Sequence, residues 1–116
     1  MNKTEQHIIL NDQRKLGYAE FGERNGTPII YCHGSQSSRL EMHYDTSFAI
    51  KNKLWIITID RPGHGLSDFN PESTILSFAK DVKQLVEQLK IEKFSVIGMS
   101  AGSPFTLGIA LSLIHI

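Results

Sequence analysis

Three short runs along the chain are almost entirely apolar rather than alternating. They are Pro28–Cys32, Leu54–Ile59 and Phe94–Ile97. Strands that are buried on both faces show this pattern, because neither face is left to water. Parallel strands need long crossovers, which are usually helices, and both gaps between the runs have room for one. The pattern therefore predicts three buried, parallel strands.

Helices are predicted in both gaps. Apolar residues in Thr74–Leu89 recur at helical spacing and form one face, with Ser73 or Thr74 available as the N-cap and Pro71 just before it. A shorter helix is predicted near Thr46–Asn52. Strands that alternate with helices indicate an α/β protein with a parallel sheet.

The two ends of the chain predict a hairpin and a helix. Gln6–Leu10 and Lys15–Phe21 are strand candidates, and Asn11-Asp12 between them is typical of a turn. The apolar stretch Phe105–Ile116 is too short to span a bilayer, which takes about 20 residues. We therefore expect a buried helix there.

Composition narrows the class of protein. The 116 residues suffice for one small domain, and 12 basic residues balance 12 acidic ones, which gives no reason to expect a nucleic-acid or membrane partner. The first ten residues lack the apolar core of a secretory signal. The single cysteine, Cys32, excludes an internal disulfide. We therefore expect a cytoplasmic protein.

The segment Gly98-Met99-Ser100-Ala101-Gly102 follows a predicted strand and precedes a predicted helix. This is the context of the G-x-S-x-G nucleophile turn, in which a strained backbone projects the serine hydroxyl. The following helix points its positive end towards the developing negative charge. Ser100 is the candidate nucleophile, and an ordinary turn serine is the alternative.

Two further loops follow the other predicted strands, so all three loops should meet at one edge of the sheet. The loop His33–Ser38 can present a backbone N–H which, with the N–H of Ala101, would bind an oxyanion. A plain Gly-Ser turn is the alternative. His33 is expected to shape this loop rather than to act as a base.

The loop Asp60–Asp68 is predicted to be structural. Gly63 and Gly65 suggest a dinucleotide-binding motif, but Asp68 occupies the third glycine position and no helix follows directly. His64 and Ser67 are therefore expected to be structural. His7 and His43 have no neighbouring ligand residues, so no metal site is predicted, and Cys32 is expected to be a core residue.

Together the three motifs His33–Glu41, Asp60–Ser67 and Gly98–Gly102 resemble those of small serine hydrolases of the α/β-hydrolase fold family. The resemblance implies a mostly parallel sheet with flanking helices, of which this chain is the incomplete N-terminal part. It implies that Ser100 is the nucleophile and that Ser35 and Ala101 are the oxyanion donors. A small-molecule substrate with an ester, thioester or amide bond is implied, without a metal or organic cofactor, and the oligomeric state stays open. Aspartate at the nucleophile position would instead have indicated epoxide or haloalkane hydrolysis.

The chain departs from the family after the nucleophile. The family places an acidic residue and then a histidine later in the chain, whereas no Asp or Glu follows Ser100 here and the only later histidine is His115. We therefore expect residues 1–110 to be the N-terminal portion of a hydrolase domain that is inactive as written. The last six residues, 111–116, are the translation of CTG TCT CTT ATA CAC ATC, which resembles a transposon-end sequencing adapter. A natural helix is the alternative, and a truncated, non-catalytic pseudohydrolase that binds a ligand or a partner is the second functional hypothesis.

Overall fold

The computed structural model describes residues 2–42 and 46–113. Within them one five-stranded sheet has the order β1-β2-β4-β3-β5. The strands are β1 (Asn2–Ile9), β2 (Lys15–Gly22), β3 (Thr27–Cys32), β4 (Leu54–Ile59) and β5 (Ser95–Gly98). The helices are α1 (Ser47–Lys51), α2 (Ile75–Gln88) and α3 (Ser103–Ser112), with short 3₁₀ helices at Arg39–Met42 and Ser100–Gly102.

Strand direction in this sheet is mostly uniform. β3 pairs in parallel with both β4 and β5, and β2 is antiparallel to β1 and to β4. β1, β3, β4 and β5 therefore point one way and only β2 is reversed. This confirms the mostly parallel α/β sheet with flanking helices, and the predicted N-terminal hairpin is β1–β2.

The three apolar runs coincide with β3, β4 and β5. Burial of β5 on both faces was predicted wrongly, because this strand lies at the edge of the described sheet and Ile97 is 49% exposed. The prediction of Leu54–Ile59 is confirmed residue for residue, and the other strands differ from their predictions mainly at the ends. Thr74 caps α2 through a capping box in which its hydroxyl accepts from the Ser77 N–H and Ser77 bonds back to the Thr74 N–H. Thr46 and Asn52 flank α1 as its caps.

Burial of the last helix was predicted wrongly. α3 starts at Ser103, and of its residues only Gly108 and Ile109 are buried. Leu107 and Leu111 are 64% and 74% exposed, because no element among the described residues packs over their side of the helix. Apolar side chains indicate that a helix tends to be buried. Whether it is buried depends on another element of the fold packing against it.

The chain's last residues fall partly outside this description. α3 continues through Ala110 to Ser112, while residues 114–116, including His115, lie outside the described residues. The division at residue 110 and the adapter origin of residues 111–116 therefore stay predictions. His43 also lies outside the described residues.

The hydrophobic core has two parts, one on each face of the sheet. The larger lies under α2 and α3 and includes Ile30, Ile57, Phe78, Leu85 and Ile109. The smaller lies on the opposite face, under α1. It is built from Ala19, Phe21, Tyr31, Ala49 and Ile56. Alternate residues of the central strands serve the two parts, which is why these strands carry apolar side chains on both faces.

One fully buried carboxylate joins the loops to the sheet. Asp60, immediately after β4, forms an ion pair with Arg39 at 3.0 Å and also accepts the Arg39 N–H at 2.7 Å. Its Oδ2 accepts the Leu66 N–H at 2.8 Å as well. A Cβ on Gly65 would lie 2.2 Å from Oδ2, so only glycine fits beside this carboxylate. The Asp60–Asp68 loop therefore folds around the carboxylate of Asp60.

The Asp60→Asn variant should therefore lose about 3 kcal/mol of unfolding free energy, because breaking a buried pair leaves Arg39 without its counter-charge. Urea unfolding followed by the fluorescence of the single tryptophan, Trp55, measures this. Asp12→Asn is the matched control: it removes an exposed carboxylate paired with Arg14 at 2.7 Å and should change the stability much less. Equal effects of the two substitutions would contradict the role given to Asp60.

Candidate active site

The carboxyl ends of the three parallel strands lie in one row. Cys32, the last residue of β3, pairs with Ile59 of β4 and with Gly98 of β5. The next residue of each strand therefore begins a loop at the same edge of the sheet. The three loops meet there as expected, and contacts between them hold the candidate site.

Ser100 lies at the turn between β5 and the helical segment that follows. Its φ is +50°, in the left-handed region that non-glycine residues seldom occupy. The Met99 N–H donates to the Cys32 carbonyl at 3.0 Å, and the Gly102 N–H donates to the Met99 carbonyl at 2.8 Å. These bonds hold the strained turn, and Ser100 is exposed at its tip.

Two glycines let the strand and the helix approach each other around Ser100. A Cβ on Gly98 would lie 2.9 Å from the Gly102 carbonyl oxygen. A Cβ on Gly102 would lie 2.3 Å from the Cys32 carbonyl oxygen. Real side chains do not tolerate such distances to backbone, so the spacing of glycines two before and two after the serine is a steric requirement of this turn.

His33 is fully buried and uses both ring nitrogens. Because a backbone N–H can only donate, the Arg61 N–H donates to Nε2 at 3.2 Å. The ring proton is therefore on Nδ1 and is donated to the Gly34 carbonyl at 2.8 Å. Burial lowers the pKa of His33. This neutral, fully bonded imidazole shapes the loop, in agreement with the prediction, and has no nitrogen free to act as a base.

Glu41 fixes the backbone of the His33–Ser38 loop. Its Oε1 accepts the Gly34 N–H at 3.1 Å, and its Oε2 accepts the hydroxyl of Tyr31. Burial alone would raise the pKa of Glu41, but hydrogen bonds from Tyr31, Ser37 and the Gly34 N–H together lower it. An ionised Glu41 thus holds Gly34, and the next residue, Ser35, is exposed.

Arg61 was missed by the sequence analysis. Its side chain is buried, donating from Nη2 to the Gly34 carbonyl at 3.0 Å and from Nη1 to the Ala101 carbonyl at 3.4 Å. Its Cζ lies 4.6 Å from the centre of the Phe105 ring. Nothing in the local pattern distinguishes Arg61 from a solvated loop arginine, because its partners come from loops distant in sequence.

Ser67, His64 and Cys32 have contacts typical of structural residues. The Ser67 hydroxyl donates to the Asp60 carbonyl at 2.7 Å and accepts the Gly17 N–H at 2.8 Å. The His64 ring lies 4.9 Å from that of His33. Cys32 is fully buried, and burial raises the pKa of its thiol, so it is a poor nucleophile.

The predicted oxyanion donors lie on two of the loops that meet here. Within residues 2–42 and 46–113, neither the Ser35 N–H nor the Ala101 N–H has a hydrogen-bond acceptor. A Cβ on Gly34 would lie 3.4 Å from the Met99 carbonyl oxygen, which places the His33–Ser38 loop directly beside the turn of Ser100. The loop that carries Ser35 thus lies beside the turn that carries Ser100 and Ala101, and the roles given to these three residues stay predictions.

Two features are absent from the described part of the chain, a metal-binding cluster and a membrane-spanning helix. It contains no group of three or more His, Cys, Asp or Glu side chains arranged to hold a metal ion. None of its helices combines the length and the apolar character needed to cross a membrane.

Comparison with known proteins agrees with the fold. Residues 27–112 match the family model described as the alpha/beta hydrolase fold. A serine hydrolase-like protein of Danio rerio is 33% identical over 86 residues, covering 71% of this chain and 26% of the relative. The sn-1-specific diacylglycerol lipase ABHD11 of Danio rerio is 32% identical over 92 residues, covering 78% of this chain and 29% of the relative.

Among solved structures, an esterase from Exiguobacterium antarcticum superposes with a TM-score of 0.80 at 23% identity, covering 92% of this chain and 40% of that one. The chain belongs to the α/β-hydrolase fold family, whose relatives here are hydrolases. It spans 26% and 29% of the length of the two Danio rerio relatives.

The protonation of His33 makes a testable pH dependence. Its pKa in the folded protein lies below the ordinary 6.5, so between these two values the unfolded chain binds the proton and the folded protein does not. Neutral His33 therefore makes its full contribution to the free energy of unfolding above about pH 6.5. That contribution is lost as the pH falls towards the pKa of His33 in the folded protein. NMR titration of the imidazole carbons should show His33 neutral at a pH where the histidines of the urea-unfolded chain are half protonated. If His33 titrated together with the unfolded histidines, the buried neutral ring would be contradicted.

Proposed function

We propose that this chain supplies the nucleophile and the oxyanion-binding loops of a serine hydrolase that cleaves an ester, amide or related acyl bond of a small molecule. The observation that carries the proposal is the exposed Ser100 at φ +50°, on a turn between strand and helix that only glycines at 98 and 102 permit. A non-glycine residue in this conformation costs free energy, and such strain is often found at functional sites.

The chemistry follows from the positions of three groups. The Ser100 Oγ attacks the acyl carbon and gives up its proton to a general base, while the carbonyl oxygen gains the negative charge. The free N–H groups of Ser35 and Ala101 donate to that oxygen. The tetrahedral intermediate then collapses, the bond to the leaving group breaks, and the leaving group takes the proton. Water hydrolyses the resulting acyl-enzyme and regenerates Ser100.

The general base and its orienting acid come, under this proposal, from residues beyond those described here. His33 has no free nitrogen, and the His64 Nδ1 lies 3.2 Å from the Pro62 carbonyl. The segments shared with this chain make up only 26% and 29% of the two Danio rerio relatives. We therefore propose that the 116 residues alone hydrolyse acyl bonds very slowly.

The nucleophile also separates this reaction from others of the family. A carboxylate at the turn would form an alkyl-enzyme ester, as expected for epoxide or haloalkane substrates. The hydroxyl of Ser100 is suited instead to attack on an acyl carbon.

The test begins with the source transcript, sequenced past the codon for Ala110 in a library made without transposon adapters. The complete reading frame is then expressed and assayed on p-nitrophenyl butyrate. Ser100→Ala should lower kcat by about a millionfold, as loss of a serine nucleophile does in comparable enzymes. Ser103→Ala, an exposed serine at the start of α3, is the matched control and should leave kcat unchanged.

Other results would redirect the proposal. A Ser100→Ala variant that kept more than about a tenth of the activity would exclude Ser100 as the nucleophile. A transcript that encodes Leu111–Ile116 and then a stop codon would refute the adapter hypothesis. The non-catalytic binding protein would then be the better hypothesis.

A further inference from the structure

Arg61 is buried at the point where the three loops meet. Only 7% of the residue is exposed, and no ion pair within residues 2–42 and 46–113 includes its guanidinium. Its Nε has no hydrogen-bond partner in that part of the chain. Burial of a cation without a carboxylate partner costs stability. Packing alone therefore does not explain why an arginine occupies this position.

The contacts of Arg61 show what that is. One Nη donates to the carbonyl of Gly34 and the other to the carbonyl of Ala101. Gly34 precedes the proposed donor Ser35, and Ala101 is the second proposed donor. A planar guanidinium has the rigid fork needed to hold two acceptors at fixed positions.

The bond to Gly34 also sets the direction of the Ser35 N–H. The Gly34–Ser35 peptide is trans, since the described chain has no cis peptide bond. In a trans peptide the carbonyl and the N–H point in opposite directions. The Gly34 carbonyl faces Arg61 and His33, so the Ser35 N–H faces away from them.

The other side of Gly34 is held as well. Its own N–H donates to Glu41 at 3.1 Å. Gly34 thus has an anion on one peptide and a cation on the next, and its backbone has little freedom to rotate. Glu41 and Arg61 act on the same residue from opposite sides, while Arg61 alone reaches across to Ala101.

We propose that Arg61 is a positioning residue of the candidate active site, whose guanidinium holds the His33–Ser38 loop and the turn of Ser100 in one fixed arrangement and places a buried positive charge behind them. The inference rests on the proposed function for its catalytic meaning, but its test needs no turnover.

The test replaces the nucleophile by a titratable group. In the Ser100→Cys variant of the full 116-residue chain, the thiolate is stabilised by ordered N–H groups and by nearby positive charge. Iodoacetamide alkylation, followed from about pH 5 to pH 10 by peptide-resolved mass spectrometry, reports the thiol pKa at residue 100. The native Cys32 is buried and serves as the slowly reacting internal reference.

The expected result is a slower alkylation of the Ser100→Cys thiol at pH 7, by about threefold or more, when Arg61→Met is added. Arg61→Lys keeps the charge but cannot bridge both carbonyls, so it should give an intermediate rate. Arg24→Met is the matched control. Its guanidinium is half exposed and lies 5.2 Å from the Trp55 ring, near the opposite ends of the strands, so the alkylation profile should not change.

Two results would overturn the inference. An Arg61→Met profile that superposes on that of the Ser100→Cys parent would show that Arg61 only supports stability. Full recovery in Arg61→Lys would show that charge alone suffices and that the two carbonyls need no common anchor. If Arg61→Met fails to fold, Arg61→Gln, which also lacks the charge and the fork, answers the same question. Because the thiol reports without hydrolysis, failure here is distinct from failure of Ser100→Ala to abolish activity.

Discussion

The whole candidate site depends on a carboxylate that has no contact with water. Asp60 sits at the end of the central strand β4 and is the only buried acid that neutralises Arg39 among the described ion pairs. Asp60 follows β4, pairs with Arg39 of the 3₁₀ helix Arg39–Met42, and accepts a hydrogen bond from the Asp60–Asp68 loop. It therefore links these two segments to the sheet. Because that 3₁₀ helix carries Glu41, the position of Gly34 is tied to Asp60 as well. Desolvation makes this arrangement costly to break and therefore well defined.

Side-chain and backbone hydrogen bonds then hold the two loops of the candidate site. The loop that carries Ser35 is fixed by Glu41, His33 and Arg61, each bonded to Gly34. The turn that carries Ser100 is fixed by its bonds to Cys32 and by the absence of side chains at 98 and 102. Under the proposed function, the N–H groups of Ser35 and Ala101 are held in place before charge develops near them, and such preorganisation is a major source of electrostatic stabilisation in enzymes.

The sequence predicted those parts of the fold that follow from local pattern. Apolar runs located β3, β4 and β5, although β5 lies at the sheet edge and is not buried on both faces. Thr74 located the start of α2 because its side chain caps the helix. The turn of Ser100 was recognisable, because the spacing of its glycines has a steric cause. Burial of α3 was predicted wrongly, because apolar character does not reveal which element packs against a helix.

The contacts that organise the site were beyond sequence reasoning for a related reason. Arg39 and Asp60 are 21 residues apart, and Arg61 and Ala101 are 40 apart. A charged residue in a loop is ordinarily solvated, and nothing local tells that Arg61 is enclosed by two other loops. Its partners are known only once the strands have been placed side by side in register.

That register has a consequence for how the protein can change. Cys32 pairs with both Ile59 and Gly98, so the three loops begin at the same level of the sheet. Insertion or deletion of one residue within β5 would turn its side chains to the opposite faces and move Ser100 by one step along the strand. The loops themselves can be lengthened outward, but the strands cannot change length one residue at a time. Variation in a protein of this design is therefore expected in the surface segments, while the length of β5 stays fixed.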